Sequence, residues 1–146
     1  MNLKKIYHLG IPVDDIDRAR EFYTRVLGMQ FINRVGGNPD NPDSLEIHGK
    51  IPRLDRFKCG NDAVVLFERP RAIRKDALDQ DGIAHQAFDM DWDDYESALK
   101  EAKDLGLFHR SVDRISGKTI YMFDSEGNYL ELHFPAPGVK PGARVG

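Results

Sequence analysis

From Tyr129 to Phe134 hydrophobic and polar positions alternate without a break. Leu130, Leu132 and Phe134 fall on one face of an extended chain, and Tyr129, Glu131 and His133 fall on the other. The preceding Asp124-Ser125-Glu126-Gly127-Asn128 reads as a tight turn, because Asp, Gly and Asn accept turn backbone angles and bond their own main chain. A carboxylate flanked by a phenol and an imidazole is an unusual solvated edge. It predicts a strand whose second face lines a polar cavity, where Glu131 needs partners.

The rest of the chain divides on the same criteria. Lys5–Val13 is rich in β-formers, carries His8 and ends near Pro12. Asp14 or Asp15 caps a helix through Ile16, Ala19, Phe22, Tyr23, Val26 and Leu27, at the 3.6 period, and Gly28 closes it. Met29–Val35 predicts a strand, Gly36–Asp43 a loop and Ser44–His48 a short strand, while Ile51–Lys58 reads as irregular and basic. Asp62–Phe67 is a buried strand, and Arg69–Asp81 connects the halves. Ile83–Met90 is a strand carrying His85. A helix follows with capping-box-like spacing at Asp93 and Glu96, apolar positions Tyr95, Ala98, Leu99, Ala102 and Leu105, and a stop at Gly106. Phe108–Arg114 and Lys118–Phe123 are strands, and Pro135–Gly146 reads as a frayed tail.

Laid out this way the chain repeats. His8 stands 20 residues before Gly28 and His85 stands 21 before Gly106, each in a strand that feeds an Asp-capped helix. The order β-α-β-β-β therefore occurs twice, a fold-level signal stronger than any single element. The expected fold is α+β: two βαβββ modules, about 4–70 and 82–135 of one domain, whose curved mixed sheets cover a shared cleft, with 136–146 as a flexible tail.

Composition narrows the function classes. The 146 residues are 40% hydrophobic and 31% charged, an ordinary globular balance with room for a buried core. A net charge of −3 gives no electrostatic reason for nucleic acid or an anionic membrane as partner. No apolar run approaches the roughly 20 residues of a membrane span, and the first residues have no signal-peptide core. One cysteine, Cys59, excludes an intrachain disulfide and a cysteine metal cluster. A cytoplasmic protein acting on a small molecule is the expectation.

His8, His85 and Glu131 stand at matching places in the repeat. Two neutral imidazoles and a carboxylate are a common ligand set for Fe²⁺, Mn²⁺, Zn²⁺ or Ni²⁺, and leave positions open for substrate. The competing reading makes both histidines satisfied core residues and Glu131 an exposed strand residue.

The segment Tyr7-His8-Leu9-Gly10-Ile11-Pro12-Val13-Asp14-Asp15, with Phe22-Tyr23 and Val26-Leu27-Gly28, resembles the first module of the vicinal oxygen chelate superfamily. That superfamily includes glyoxalase I, extradiol dioxygenases, fosfomycin-resistance enzymes, methylmalonyl-CoA epimerase and bleomycin-binding proteins. Ile83-Ala84-His85-Gln86-Ala87-Phe88 resembles the opening of the second module. Tyr121-Met122-Phe123-Asp124, Gly127-Asn128 and Leu130-Glu131-Leu132 resemble its closing hairpin. The resemblance spans Ile6 to Pro135. It implies a homodimer with a divalent metal ion held by His8, His85 and Glu131, where paired modules can come from different subunits. Aligning Phe134-Pro135 with Arg69-Pro70 puts Leu66 opposite Glu131, where a glyoxalase I carries a second glutamate. Glu68 could restore that reading only by a shifted register.

The resemblance first suggests an extradiol-dioxygenase-like enzyme. Fosfomycin-type epoxide opening, a glyoxalase- or epimerase-like lyase or isomerase, and a drug-sequestering binding protein are the alternatives. Tyr121 is the expected donor to a metal-bound oxygen and His133 the expected proton shuttle, since imidazole titrates near neutrality; an aromatic core residue and a surface histidine are the plain readings of the two. Lys118 and Arg110 are the candidates for an anionic group. His48 and His109 read as surface residues, Cys59 as a small buried residue and Trp92 as a hydrophobic anchor at a helix start. Asp89, Asp91, Asp93 and Asp94 read as a charge cluster at that start, lacking a calcium loop's glycine and closing glutamate.

Overall fold

The computed structural model describes residues 1–40, 46, 49–69 and 85–139. The chain falls into two compact units, Met1–Arg74 and Lys75–Gly146.

The first unit contains β1 (Leu9–Val13), α1 (Ile16–Glu21), β2 (Gln30–Gly36), β3 (Arg53–Cys59) and β4 (Asp62–Glu68). Its sheet runs β1-β4-β3-β2, with β1 parallel to β4 and the other pairs antiparallel. Asp15 caps α1 by accepting the Arg18 amide at 3.0 Å, and a π-helical turn, Phe22–Val26, replaces the helix's last expected turn. Gly28 then takes a φ of 70°, which a side chain would oppose. Ile16, Ala19, Phe22 and Tyr23 are buried with Ile11, Val13, Phe57, Val64 and Leu66, and each large side chain removed from water contributes about 1.5–3 kcal/mol.

β3 is a departure from the sequence pattern, which gave no regular element over Ile51–Lys58. Its inward positions are Asp55 and Phe57, and a charge at an inward position hides the alternation. Asp55 is fully buried and bound by two guanidinium groups: Arg20 Nε at 2.8 Å and Arg34 Nε at 2.7 Å, with second contacts at 3.2 and 3.1 Å. Burial alone would raise its pKa, but the hydrogen bonds from Arg34 and Arg20 outweigh that and leave it below the usual aspartate value.

The second unit repeats the plan with β5 (Gln86–Asp89), α2 (Tyr95–Asp104), β6 (Phe108–Arg114), β7 (Gly117–Phe123) and β8 (Tyr129–Pro135), ordered β5-β8-β7-β6. β5 is parallel to β8. Tyr95 and Ala102 of α2 are buried with Ile120, Met122, Leu130, Leu132 and Phe134, and Tyr95 meets Phe134 edge-on at 5.3 Å. The expected capping box at Asp93 and Glu96 does not form. Asp93 lies inside a 3-10 turn, Trp92–Asp94, and Asp94 caps α2 without a side-chain hydrogen bond.

The closing turn is built as its residues suggest. Asp124, 1% exposed, accepts the amides of Glu126 and Asn128 and the Asn128 side-chain amide, each at 2.8 Å. Pro135 belongs to β8 rather than to a tail, and Ala136 donates to the Ser116 carbonyl at 2.9 Å. Residues 140–146 lie outside the described residues, as do His48 and all of the expected Ser44–His48 strand except Glu46. Among the described residues no helix is long and apolar enough to cross a membrane.

Candidate functional site

In each unit the helix covers one sheet face and leaves the chemistry to the other. On β8, Leu130, Leu132 and Phe134 are buried towards α2, which turns Tyr129, Glu131 and His133 to the helix-free face. The parallel register pairs Ala87 with Glu131 and Asp89 with His133. His85, two residues before Ala87, thus reaches the Glu131 side. Its Nε2 stands 3.0 Å from Glu131 Oε2, and the Glu131 residue is 8% exposed. The structure therefore joins two of the three expected metal-ligating residues.

His8 lies in the first unit, where it holds the corresponding place. It immediately precedes β1 as His85 precedes β5, so neither histidine is inside a strand as the pattern suggested. Its ring is 5.2 Å from that of Tyr7 and 6.0 Å from that of Phe67. Within the described residues, no single unit brings three His, Cys, Asp or Glu side chains together around one point.

The register corrects the residue opposite Glu131. Gly10 pairs with Val65 as Ala87 pairs with Glu131, and Arg56 pairs with Val65 as Tyr121 pairs with Glu131. The counterpart is Val65, one residue before Leu66, which points into the α1 core and is fully buried. Both are aliphatic, so the first unit still offers no second carboxylate there. Glu68 cannot take the role. It lies on the α1 side opposite Val13 and binds Arg53 at 2.7 Å, a hydrogen bond that holds its pKa below the usual glutamate value.

Around the His85–Glu131 pair the second unit builds an aromatic wall. Tyr121 is the cross-strand neighbour of Glu131, is 8% exposed, and stacks on Tyr129 at 5.5 Å and 15°. His85 meets both rings edge-on, at 6.3 and 6.0 Å. Burial pushes the Tyr129 phenol upward in pKa; Arg110 opposes this through its charge and a hydrogen bond, and Tyr121 and Glu131 add to the rise. His133 is not a loose surface residue: its Nδ1 lies 2.9 Å from Asp89 Oδ1. An ionised carboxylate only accepts, so Nδ1 carries the proton and Nε2 is left for other work. Asp89 makes this contact while lining one surface hollow with Met90, Asp91 and Asp94, the acidic cluster in which the sequence placed it.

A β-bulge sets the remaining contacts. β6 pairs Phe108 with Met122 and then Arg110 with Tyr121, so His109 is the extra residue and Arg110 is turned to the Tyr121 face. Arg110 Cζ lies 4.7 Å from the Tyr121 ring centre, while the His109 ring contacts Tyr129 at 5.5 Å and Phe123 at 5.7 Å. Sequence reasoning missed His109 and Phe123 because one inserted residue reverses the parity of a strand. Lys118 is excluded from this face. It points towards α2, with Nζ 4.4 Å from the Tyr95 ring centre and 5.4 Å from that of Trp92. Cys59 ends β3, its thiol pKa raised by burial and then by Asp62, as expected of an unreactive residue.

Comparison with known proteins agrees with this architecture. A mutant of the fosfomycin resistance protein FosX from Listeria monocytogenes, solved with Mn(II) and a dihydroxypropylphosphonic acid, is similar at a TM-score of 0.69 and 16% identity, over 93% of this chain and 96% of that one. A glyoxylase/bleomycin resistance protein/dioxygenase domain from Frankia sp. EAN1pec is similar at a TM-score of 0.65 and 19% identity, over 94% and 96%. The uncharacterized protein YwkD of Bacillus subtilis is 28% identical over 140 residues, 91% of this chain and 98% of that protein. The profile of one family matches residues 5–132. The chain is a member of the glyoxalase/bleomycin resistance protein/dioxygenase superfamily.

Proposed function

We propose that the chain is a divalent-metal-dependent enzyme acting on a small oxygenated substrate, with His85, Glu131 and His8 as the protein ligands. The observation that carries this reading is the 3.0 Å approach of the His85 imidazole to a largely buried Glu131 carboxylate on the helix-free face. An imidazole nitrogen and a carboxylate oxygen side by side suit Fe²⁺, Mn²⁺, Zn²⁺ or Ni²⁺. His8 is supported by its equivalent place before β1, and a cytoplasmic homodimer would let it come from the same chain or the partner subunit. Such an ion, when bound, supplies Lewis acidity to substrate oxygens.

The chain's own residues do the rest. Tyr121 brings a phenol beside the carboxylate, as a donor to a substrate oxygen. His133, oriented by Asp89, holds Nε2 for proton transfer at the substrate. Opening of an epoxide by water or thiol is the reaction we put first; it fits the FosX ligand and the cation Arg110 on the same face. Ring cleavage of a catechol, the first expectation from the sequence, is the second reading, supported by the His133–Asp89 pair as an acid–base group. Val65 argues against a glyoxalase with a second carboxylate, and the His85–Glu131 pair has no purpose in simple drug sequestration.

The test is turnover by protein reconstituted separately with Mn²⁺, Fe²⁺, Zn²⁺ and Ni²⁺, presented with epoxides, catechols and hemithioacetals. Diol or thiol-adduct formation supports the first reading and ring cleavage the second. A metal-loaded protein inert towards all three classes counts against the enzyme reading.

A further inference from the structure

The proposed metal chemistry leaves one charged hollow of the first unit without a role. It has a volume of about 390 Å³ and is lined, among the described residues, by Asp14, Lys50, Ile51, Pro52, Glu68 and Arg69. Three separate segments meet there: the exit of β1, the exit of β4 and the approach to β3. His8 precedes β1 and Asp14 follows it, so at about 3.3 Å per residue the hollow lies roughly 20 Å along the strand from His8. It is therefore distinct from the metal ligand proposed in this unit.

Most of its charges are pinned by the fold. Glu68 accepts the Arg53 amide at 3.0 Å and Arg53 Nη2 at 2.7 Å. Arg69 donates its amide to the Val13 carbonyl at 2.8 Å and Nη2 to the Pro12 carbonyl at 2.9 Å, with its side chain only 7% exposed. Its Nε lies 3.6 Å from Asp14 Oδ1. Groups fixed before a ligand arrives cost little to order on binding. Lys50 differs, because it makes no ion pair with any described carboxylate. Glu68 is matched by Arg53 and Asp14 by Arg69, so the Lys50 ammonium is the charge left over.

We propose that this hollow is a binding site for a small α-amino or α-hydroxy carboxylate with an aliphatic side chain. Lys50 takes the ligand's carboxylate. The ligand's ammonium or hydroxyl donates to Glu68 or Asp14, since a carboxylate offers about four lone-pair sites. Ile51 and Pro52 meet the aliphatic part. One excess cation suits a single negative charge, whereas the second charge of a phosphate would face Glu68 and Asp14. A cavity of about 150 Å³ holds a benzene ring, so this hollow has room for a ligand the size of leucine. The site stands whether or not the metal reading does.

The experiment is calorimetric titration of the full-length protein, with EDTA present so that no probe is captured through a metal ion. The probes are leucine, leucic acid and isocaproic acid, which share a carbon skeleton and differ only at the α position. Saturable binding of leucine or leucic acid is expected below about 10 mM, with isocaproic acid about tenfold or more weaker. Lys50→Met should weaken the better probe about tenfold or more, and Lys50→Arg should largely keep it. Circular dichroism confirms folding, and Lys50→Gln replaces the Met variant if that does not fold. The tighter of leucine and leucic acid identifies the donor on the ligand. No saturable binding of either probe to native protein overturns the proposal. So does equal binding of isocaproic acid, unchanged affinity in Lys50→Met, or a loss in Lys50→Arg equal to that in Lys50→Met.

Discussion

The buried Asp55 cluster makes a quantitative prediction, because a carboxylate with no exposed surface holds two guanidinium groups from separate elements. Arg20 belongs to α1 and Arg34 to β2, so Asp55 ties both to β3 through four N–H···O contacts of 2.7–3.2 Å. Asp55→Asn keeps the shape, removes the charge, and turns an amide N–H₂ towards one of the two cations. Breaking a buried ion pair by removing one partner costs about 3–5 kcal/mol. The Arg20 and Arg34 side chains are 32% and 25% exposed, so water partly recovers their charges and the lower end applies. At roughly 2–4 °C per kcal/mol, a loss of about 3 kcal/mol lowers Tm by roughly 6–12 °C. Thermal denaturation followed by circular dichroism measures this, with Arg34→Met and the double variant completing a cycle. If the double variant loses as much as the two single changes added together, the residues are not coupled. A loss below about 1 kcal/mol in Asp55→Asn would refute the reasoning.

Acid should act through the same unit. Asp55 and Glu68 both have pKa values below the ordinary 3.8 and 4.5, so the native state releases their protons more readily than the unfolded chain. Their stabilisation is complete above the unfolded values and is lost as pH falls through the folded ones; Tm should hold above about pH 5 and decline below about 4.5, and a flat profile to pH 3 contradicts it. Asp124→Ala removes three hydrogen bonds to a buried carboxylate and should cost about 2–4 kcal/mol by denaturant unfolding, against less than 1 kcal/mol if the turn holds without it. Tyr129 should ionise above the ordinary 10.0, as an ultraviolet titration step that Tyr129→Phe removes; loss of an early step instead would reverse the assignment.

Period-two alternation made β8 legible, because every apolar position from Leu130 to Phe134 faces α2 and none of the polar ones does. The repeat was legible for a related reason: each module ends its helix at a glycine with positive φ, Gly28 at 70° and Gly106 at 69°. β3 was not, since the partners that make an inward Asp55 acceptable lie 35 and 21 residues away and a local window cannot see them. The pairing of Leu66 with Glu131 failed by one residue because it was anchored on a sequence match of two prolines, whereas the ladder pairs Gly10 with Val65 as it pairs Ala87 with Glu131. Arg110 was visible as a charge but not as a neighbour of Tyr121, since only the bulge brings it to that face. The joining of His85 to Glu131 follows from β5 lying parallel to β8, a contact between residues 46 apart in sequence.

The central claim is that His8, His85 and Glu131 together hold a divalent ion, and metal content tests it most directly. Wild-type protein, His8→Ala and Glu131→Ala, each verified as folded by circular dichroism, would be loaded with Mn²⁺, desalted and analysed for metal and protein. Near-stoichiometric metal is expected in the wild type, with most of it lost in both variants. Equal trace metal in all three proteins would contradict it.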